Sequence, residues 1–174
     1  MNRLQFLLCL ALSLAVALGG CGLAQKVKDG TVDLTRSVFF AQTKTVKLDL
    51  LAREELNSDD KSQPLSVVVR VYQLRDGKRF ASTSYEQLLT EDKVRLADDL
   101  LASKEVILLP GASLSLDEPL DKDAKQIGVA AFFRKTDVPS GWQLLIGREQ
   151  LSDETPFRIL AQGYRLQPDT PAQP

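Results

Sequence analysis

From position 43 onward, apolar residues fall mainly at every second position. Val46, Leu48 and Leu50 alternate with Lys47 and Asp49, the signature of a half-buried strand. The run LSVVVRVYQL (65–74) is rich in β-branched residues and places Val67, Val69 and Val71 on one face of a central strand, closed by an Asp76-Gly77 turn. Further strand signals cover 105–109, 113–116, 127–134 (IGVAAFFR), 142–148 (WQLLIGR) and 157–166, punctuated by Pro110-Gly111 and Pro139-Ser140-Gly141. One segment breaks the period. Ser84 followed by Gln87 forms a capping box, and Tyr85, Leu88 and Leu89 share a helical face. Leu96, Leu100 and Leu101 extend those apolar positions, which predicts two short helices broken near Thr90. Seven to eight short strands with one helical insertion predict a mainly β chain folded as a β-sandwich over residues 43–167. The proline-rich end, 168–174, is expected to be a disordered tail.

The first twenty residues follow a different rule. Arg3 and the free amine precede a 13-residue apolar stretch, Phe6 to Leu18, and small residues follow. That is the layout of an export signal, too short for a membrane span of ~20 residues. Cys21 stands directly after Leu18-Gly19-Gly20, an arrangement that resembles a bacterial lipobox: a branched apolar residue and two small residues before an acylated cysteine. Residues 1–20 are therefore expected to be a lipoprotein signal peptide, with Cys21 as the lipidation site. Residues 21–42 would form the lipidated N-terminus, a tether and a helix, since Leu23, Val27, Leu34 and Val38 keep roughly helical spacing. One acyl chain anchors only marginally at ~0.8 kcal/mol per buried methylene, whereas the three of a triacylated cysteine hold firmly. Gly22 after the cysteine, in place of aspartate, resembles the sorting pattern of Gram-negative outer-membrane lipoproteins facing the periplasm.

Composition then removes whole classes of chemistry. The chain has no histidine, and its two cysteines, Cys9 and Cys21, lie in or at the end of the leader. Ser-His-Asp and Cys-His mechanisms have no base, internal disulfides have no partners, and cysteine-based zinc sites have no ligands. Loss of residues 1–20 removes only Arg3 and shifts the formal charge from −1 to −2, with no basic face for nucleic acid. Ser58-Asp59-Asp60-Lys61 matches an S-x-x-K pattern but sits in a polar loop without its S-D-N and K-T-G companions. The acidic residues Asp117, Glu118, Asp121 and Asp123 fail the EF-hand spacing and read as a solvated loop. Neither a catalytic residue, nor a metal, nor a cofactor is expected, and the chain is not expected to be an enzyme.

The 65–74 run preceded by Pro64, the Leu108-Leu109-Pro110-Gly111 turn, IGVAAFFRKTD from Ile127, and Gly141-Trp142, together with the lipobox, resemble the TssJ family of type VI secretion lipoproteins. Gln143 departs from it where arginine is more usual. The resemblance implies a transthyretin-like β-sandwich. It also implies an outer-membrane lipoprotein that tethers the secretion membrane complex by binding the periplasmic domain of TssM, with TssL as a further component. In that family the loop between the first two sandwich strands contributes to TssM binding. Here that loop comprises Asn57, Ser58, Asp59, Asp60, Lys61, Ser62, Gln63 and Pro64, an exposed polar segment. Charge reversal at Asp59, Asp60 and Lys61 is then expected to weaken binding. The alternative is an envelope lipoprotein binding a small ligand or glycan, which requires an aromatic-lined pocket including Trp142 and Tyr164.

Overall fold

The computed structural model describes residues 43–135 and 141–169. Eight strands form two four-stranded sheets: β1 (Thr45–Ala52), β2 (Val67–Leu74), β3 (Leu100–Leu108), β4 (Ser113–Pro119), β5 (Gln126–Phe132), β6 (Gln143–Gly147), β7 (Phe157–Gln162) and β8 (Arg165–Pro168). The first sheet has the order β4-β1-β7-β8 and the second β3-β2-β5-β6. Every pair is antiparallel except β1 with β7, which runs parallel. Between β2 and β3 lie α1 (Lys78–Ser82) and α2 (Tyr85–Leu96). The leader, Cys21 and the expected tether helix fall outside the described residues.

Alternation explains the sandwich. Val46, Leu48 and Leu50 of β1 face Val67, Val69 and Val71 of β2, with Val129, Ala131, Ile146 and Ile159 completing one buried cluster. Leu56, in the connection after β1, plugs one end of this core. At the other end the inward Gln73 is buried, and its amide meets the backbone of the β4–β5 connection. Its nitrogen donates to Pro119 O at 2.8 Å, and its oxygen accepts from Asp121 N at 2.7 Å.

The helical insertion creates a second, smaller core on the outer face of the second sheet. Tyr72, Leu74 and Ala130 from β2 and β5 meet Phe80 of α1 and Leu88 and Leu96 of α2. Gly128 permits this approach, because a Cβ there would come within 2.8 Å of the Phe80 ring. Arg70 fastens the insertion. Its guanidinium donates to Glu105 at 2.6 Å and to Leu89 O at 3.1 Å, approaches Asp92 at 3.4 Å, and lies 4.9 Å from the centre of the Phe132 ring. Burial opposes its charge, yet Glu105, Tyr72 and Asp92 hold its pKa above the ordinary value. The Tyr72 hydroxyl reaches the same Asp92 carboxylate at 3.1 Å, and burial pushes the phenol's pKa well up.

Four local expectations change. The capping box of Ser84 and Gln87 forms, and the helix breaks at Glu91, next to the expected Thr90. Leu100 and Leu101, however, open β3 and do not extend the helix: the chain turns at Ala97–Asp99, with Ala97 at φ 42°. Residues 157–166 form two strands and not one, because Gly163 at φ 57° reverses the chain. Leu65 and Ser66 precede β2. Of the tail expected over 168–174, Pro168 is a strand residue paired with Ile159, and Asp169 N donates to Arg158 O at 2.9 Å; 170–174 fall outside the described residues.

Candidate functional site

The connections β1–β2, β3–β4, β5–β6 and β7–β8 share one end of the sandwich, as the strand directions require. The opposite end holds the chain's entry into β1. The expected binding loop, residues 57–64, is at the first end, and its residues divide into brace and crest.

Asn57 is brace. It is only 3% exposed, against the expectation of an exposed loop throughout, and occupies φ 49°, where asparagine is among the better tolerated residues. Its side-chain nitrogen donates to Ser66 O at 2.8 Å and its oxygen accepts from Arg134 N at 2.8 Å. Its own amide donates to Gly163 O at 2.8 Å. A single buried residue, through its side-chain amide and its backbone N–H, thus joins the β1–β2, β5–β6 and β7–β8 connections. Ser58 contributes its carbonyl, which accepts from the Tyr164 hydroxyl at 2.5 Å and from Arg134 Nη1 at 3.3 Å.

Asp59 folds the loop on itself. Its carboxylate accepts from Lys61 N and Gln63 N, both at 2.8 Å, an Asx-type arrangement, while its own amide donates to Gln63 O at 2.9 Å. Asp60 pairs with Lys135 at 3.3 Å and Arg134 at 3.7 Å. The Lys135 ammonium also lies 5.6 Å from the Tyr164 ring centre, and its pKa is held above the ordinary value, first by Asp60 and then by Tyr164. Lys61, Ser62, Gln63 and Pro64 remain exposed as the crest. Asp59 therefore shapes the loop, whereas the exposed Asp60 carboxylate is shared between Arg134 and Lys135. Reversing Asp59 would remove the acceptor of Lys61 N and Gln63 N, so changes to the crest side chains probe binding without disturbing the loop's own bonds. Tyr164, Arg134 and Lys135 brace the site, and sequence reasoning missed them as a group because they lie 70 or more positions away from the loop.

The remaining candidates separate cleanly. The Ser58 hydroxyl donates to Glu55 O at 3.3 Å and Lys61 engages Asp59 through its backbone amide at 2.8 Å, so neither bond joins the serine to the lysine of the S-x-x-K pair. Asp117 and Glu118 are in β4, paired with Lys47 at 3.8 Å and Lys104 at 3.1 Å. Among the described residues no group of three His, Cys, Asp or Glu is placed to hold a metal ion. Trp142 packs edge-on against Tyr85 at 5.2 Å, and Tyr164 lies edge-on to Phe133 at 6.4 Å with its hydroxyl engaged. Both rings of the glycan alternative are thus occupied by packing. A cleft of about 70 Å³ does open between the β3 and β4 edges, lined by Val46, Val71, Gln73 and Leu116 under the Lys104–Glu118 pair. Small-molecule pockets typically measure ~300–1,000 Å³.

At the opposite end, Arg148 and Asp153 hold the entry into β1. Arg148 Nη2 donates to Thr43 O at 2.9 Å, and Nη1 donates to Ala124 O at 2.9 Å, Lys122 O at 3.0 Å and Asp121 O at 3.3 Å. The Asp153 carboxylate accepts from the Thr45 hydroxyl at 2.7 Å, Lys44 N at 2.8 Å and Thr45 N at 2.9 Å. These bonds, that of the Thr45 hydroxyl foremost, keep its pKa below the ordinary carboxylate value.

Comparison with known proteins bears directly on this arrangement. Residues 44–164 match the family model described as "Type VI secretion lipoprotein, VasD, EvfM, TssJ, VC_A0113". A chain of a solved structure described as "Type VI membrane complex" is 44% identical, covering 73% of this chain and 98% of that one at a TM-score of 0.70. A chain of "T6SS protein TssM C-terminal domain (869-1107) from EAEC" is 41% identical over 72% of this chain and 98% of that one, TM-score 0.67. Serratia marcescens Lip, described as a membrane-bound component of the type VI secretion system, shares the fold at a TM-score of 0.67 and 24% identity, covering 73% and 98% of the two chains. No curated protein matches the sequence.

Proposed function

Because this chain belongs to the type VI secretion lipoprotein (TssJ) family, we propose that it holds the secretion membrane complex to the outer membrane by gripping the periplasmic domain of TssM. The chain is a lipoprotein component of the type VI membrane complex and a β-sandwich of the family's kind. Cys21 carries the acyl chains, the segment Leu18-Gly19-Gly20 directs processing, and the sandwich faces the periplasm. Its work is binding and assembly, not catalysis. The loop of residues 57–64 is the first contact with TssM. One observation carries this reading: the family match spans both the sandwich and its braced loop end. Preorganisation adds to it, since a loop already fixed by Asn57, Asp59 and Tyr164 loses little further freedom on binding.

Two measurements test the reading. Cys21→Ser is expected to abolish acylation by mass spectrometry, release the protein from the outer-membrane fraction and stop secretion. Calorimetry of the full chain with the TssM periplasmic domain is expected to show one binding event, weakened by Lys61→Glu with Gln63→Ala. Secretion at the wild-type level by a Cys21→Ser protein confirmed to lack acyl chains would refute the anchoring role.

A further inference from the structure

We propose that the partner surface has a second, apolar half, on the outer face of the second sheet beside the loop, and that it seats an apolar segment of the same TssM periplasmic domain. The inference rests on the reading above and extends it to residues outside the loop.

Register defines the surface. On β2, Val68, Arg70 and Tyr72 face outward, opposite to Val67, Val69 and Val71 of the core. The Tyr72 row lies under α1 and α2, and the Arg70 row is tied to α2 through the carbonyls of Leu88 and Leu89 and through Asp92. The next row toward the loop end consists of Ile107, Val68 and Phe132, aligned across β3, β2 and β5. Ile107 is 60% exposed, and Val68 and Phe132 are half-buried. Leu109, two residues beyond Ile107 along the same chain, is 57% exposed, and Leu89 of α2 is 39% exposed. The helical insertion covers only the Phe132 end of this row, where Tyr85 of α2 lies edge-on at 5.6 Å, and leaves its Ile107 end open.

The edge of the sheet supports the same reading. Outer strands are ordinarily guarded by charge against unwanted pairing. Along β3 that guard is present at Lys104, bound to Glu118 at 3.1 Å, and at Glu105, bound to Arg70 at 2.6 Å. It is missing from 106–109, where the residues are Val106, Ile107, Leu108 and Leu109. This unguarded part is the part next to the crest: Val68 follows Pro64 by four positions, and the β3–β4 turn binds the root of the loop through Gly111 N to Arg53 O at 3.2 Å. A partner resting on Lys61 to Pro64 therefore meets apolar surface at its margin. Apolar surface flanked by polar residues is the usual composition of an interface core and rim.

The test uses the acylated full chain in lipid nanodiscs. Ile107→Lys with Leu109→Lys is compared with the crest variant Lys61→Glu with Gln63→Ala, each titrated with the TssM periplasmic domain. The apolar-surface variant is expected to raise Kd by about tenfold or more, in keeping with the loss of a central apolar contact, at an unchanged melting temperature. Should lysine lower the melting temperature, Ile107→Ser with Leu109→Ser supplies the same comparison and carries the same expectation. An unchanged Kd in the apolar-surface variant, with a weakened crest variant, overturns this inference and leaves the loop reading intact. Absence of wild-type binding overturns both. Self-association of the wild type by sedimentation, abolished by the lysines without effect on TssM binding, overturns it in favour of a second copy as the occupant.

Discussion

The two ends of the sandwich are fastened by different chemistry. At the entry end, charged side chains clamp backbone: Arg148 collects four carbonyls and Asp153 collects two amides and a hydroxyl. At the loop end, the chief brace is neutral, a buried asparagine amide and a tyrosine hydroxyl, and charge stays near the surface in the Asp60–Arg134–Lys135 group. Among the described residues, the loop end carries the exposed crest of residues 61–64 with the exposed apolar side chains of Ile107 and Leu109 beside it. The difference separates two tasks: keeping the chain seated in its fold, and offering a fixed shape to a neighbour.

Substitutions can separate these tasks. Arg148→Ala should have the largest effect on folding, about 2–3 kcal/mol by urea denaturation, because it strands several partly buried carbonyls at once. TssM affinity should remain within twofold; a large affinity loss would show that the two ends are not independent. Asn57→Ala should cost about 1–2 kcal/mol, leaving Arg134 N and Ser66 O without their partner, and should weaken TssM binding as well. Tyr164→Phe removes one hydroxyl bond, about 1 kcal/mol at most. Its clearer signature should be faster amide hydrogen exchange at Lys61 and Gln63, with the rest of the sandwich unchanged.

The smallest effect at neutral pH belongs to Asp153→Asn, and acid should reveal it. The folded protein holds this carboxyl below its ordinary value, so the unfolded chain binds the proton more readily. Its stabilising contribution is complete above the unfolded value of ~3.9 and is lost as pH falls through the lower folded value. Melting temperatures recorded from pH 6 down to pH 3 should therefore fall less steeply for Asp153→Asn than for the wild type. Parallel curves would remove Asp153 from the acid response.

What could be read from the sequence follows from the range of each interaction. The strands of the core were legible because Val46, Leu48, Leu50, Val67, Val69 and Val71 state their burial locally, by alternation. The capping box was legible for the same reason. β3 was misread at its start because Leu96, Leu100 and Leu101 mimic helical spacing, while an edge strand exposed along much of its length has no alternation to betray it. The helix α1 escaped notice, with Phe80 as its sole buried residue and only five positions in all. Residues 57–64 do lie in the connection between β1 and β2, but the internal division of that segment was hidden: a polar composition suggests exposure, whereas Asn57 is buried by partners at positions 66, 134 and 163. The clamp at the other end joins residues more than a hundred positions apart, beyond the reach of any local pattern.

The placement of β1 has a mechanical consequence. This strand runs from the clamped entry to the root of the loop and is hydrogen-bonded on both sides, antiparallel to β4 and parallel to β7. Tension applied between Thr43 and Asn57 is directed along the strand, so its two ladders are sheared together and cannot be peeled open one rung at a time. A protein loaded at those two points resists with many bonds in concert.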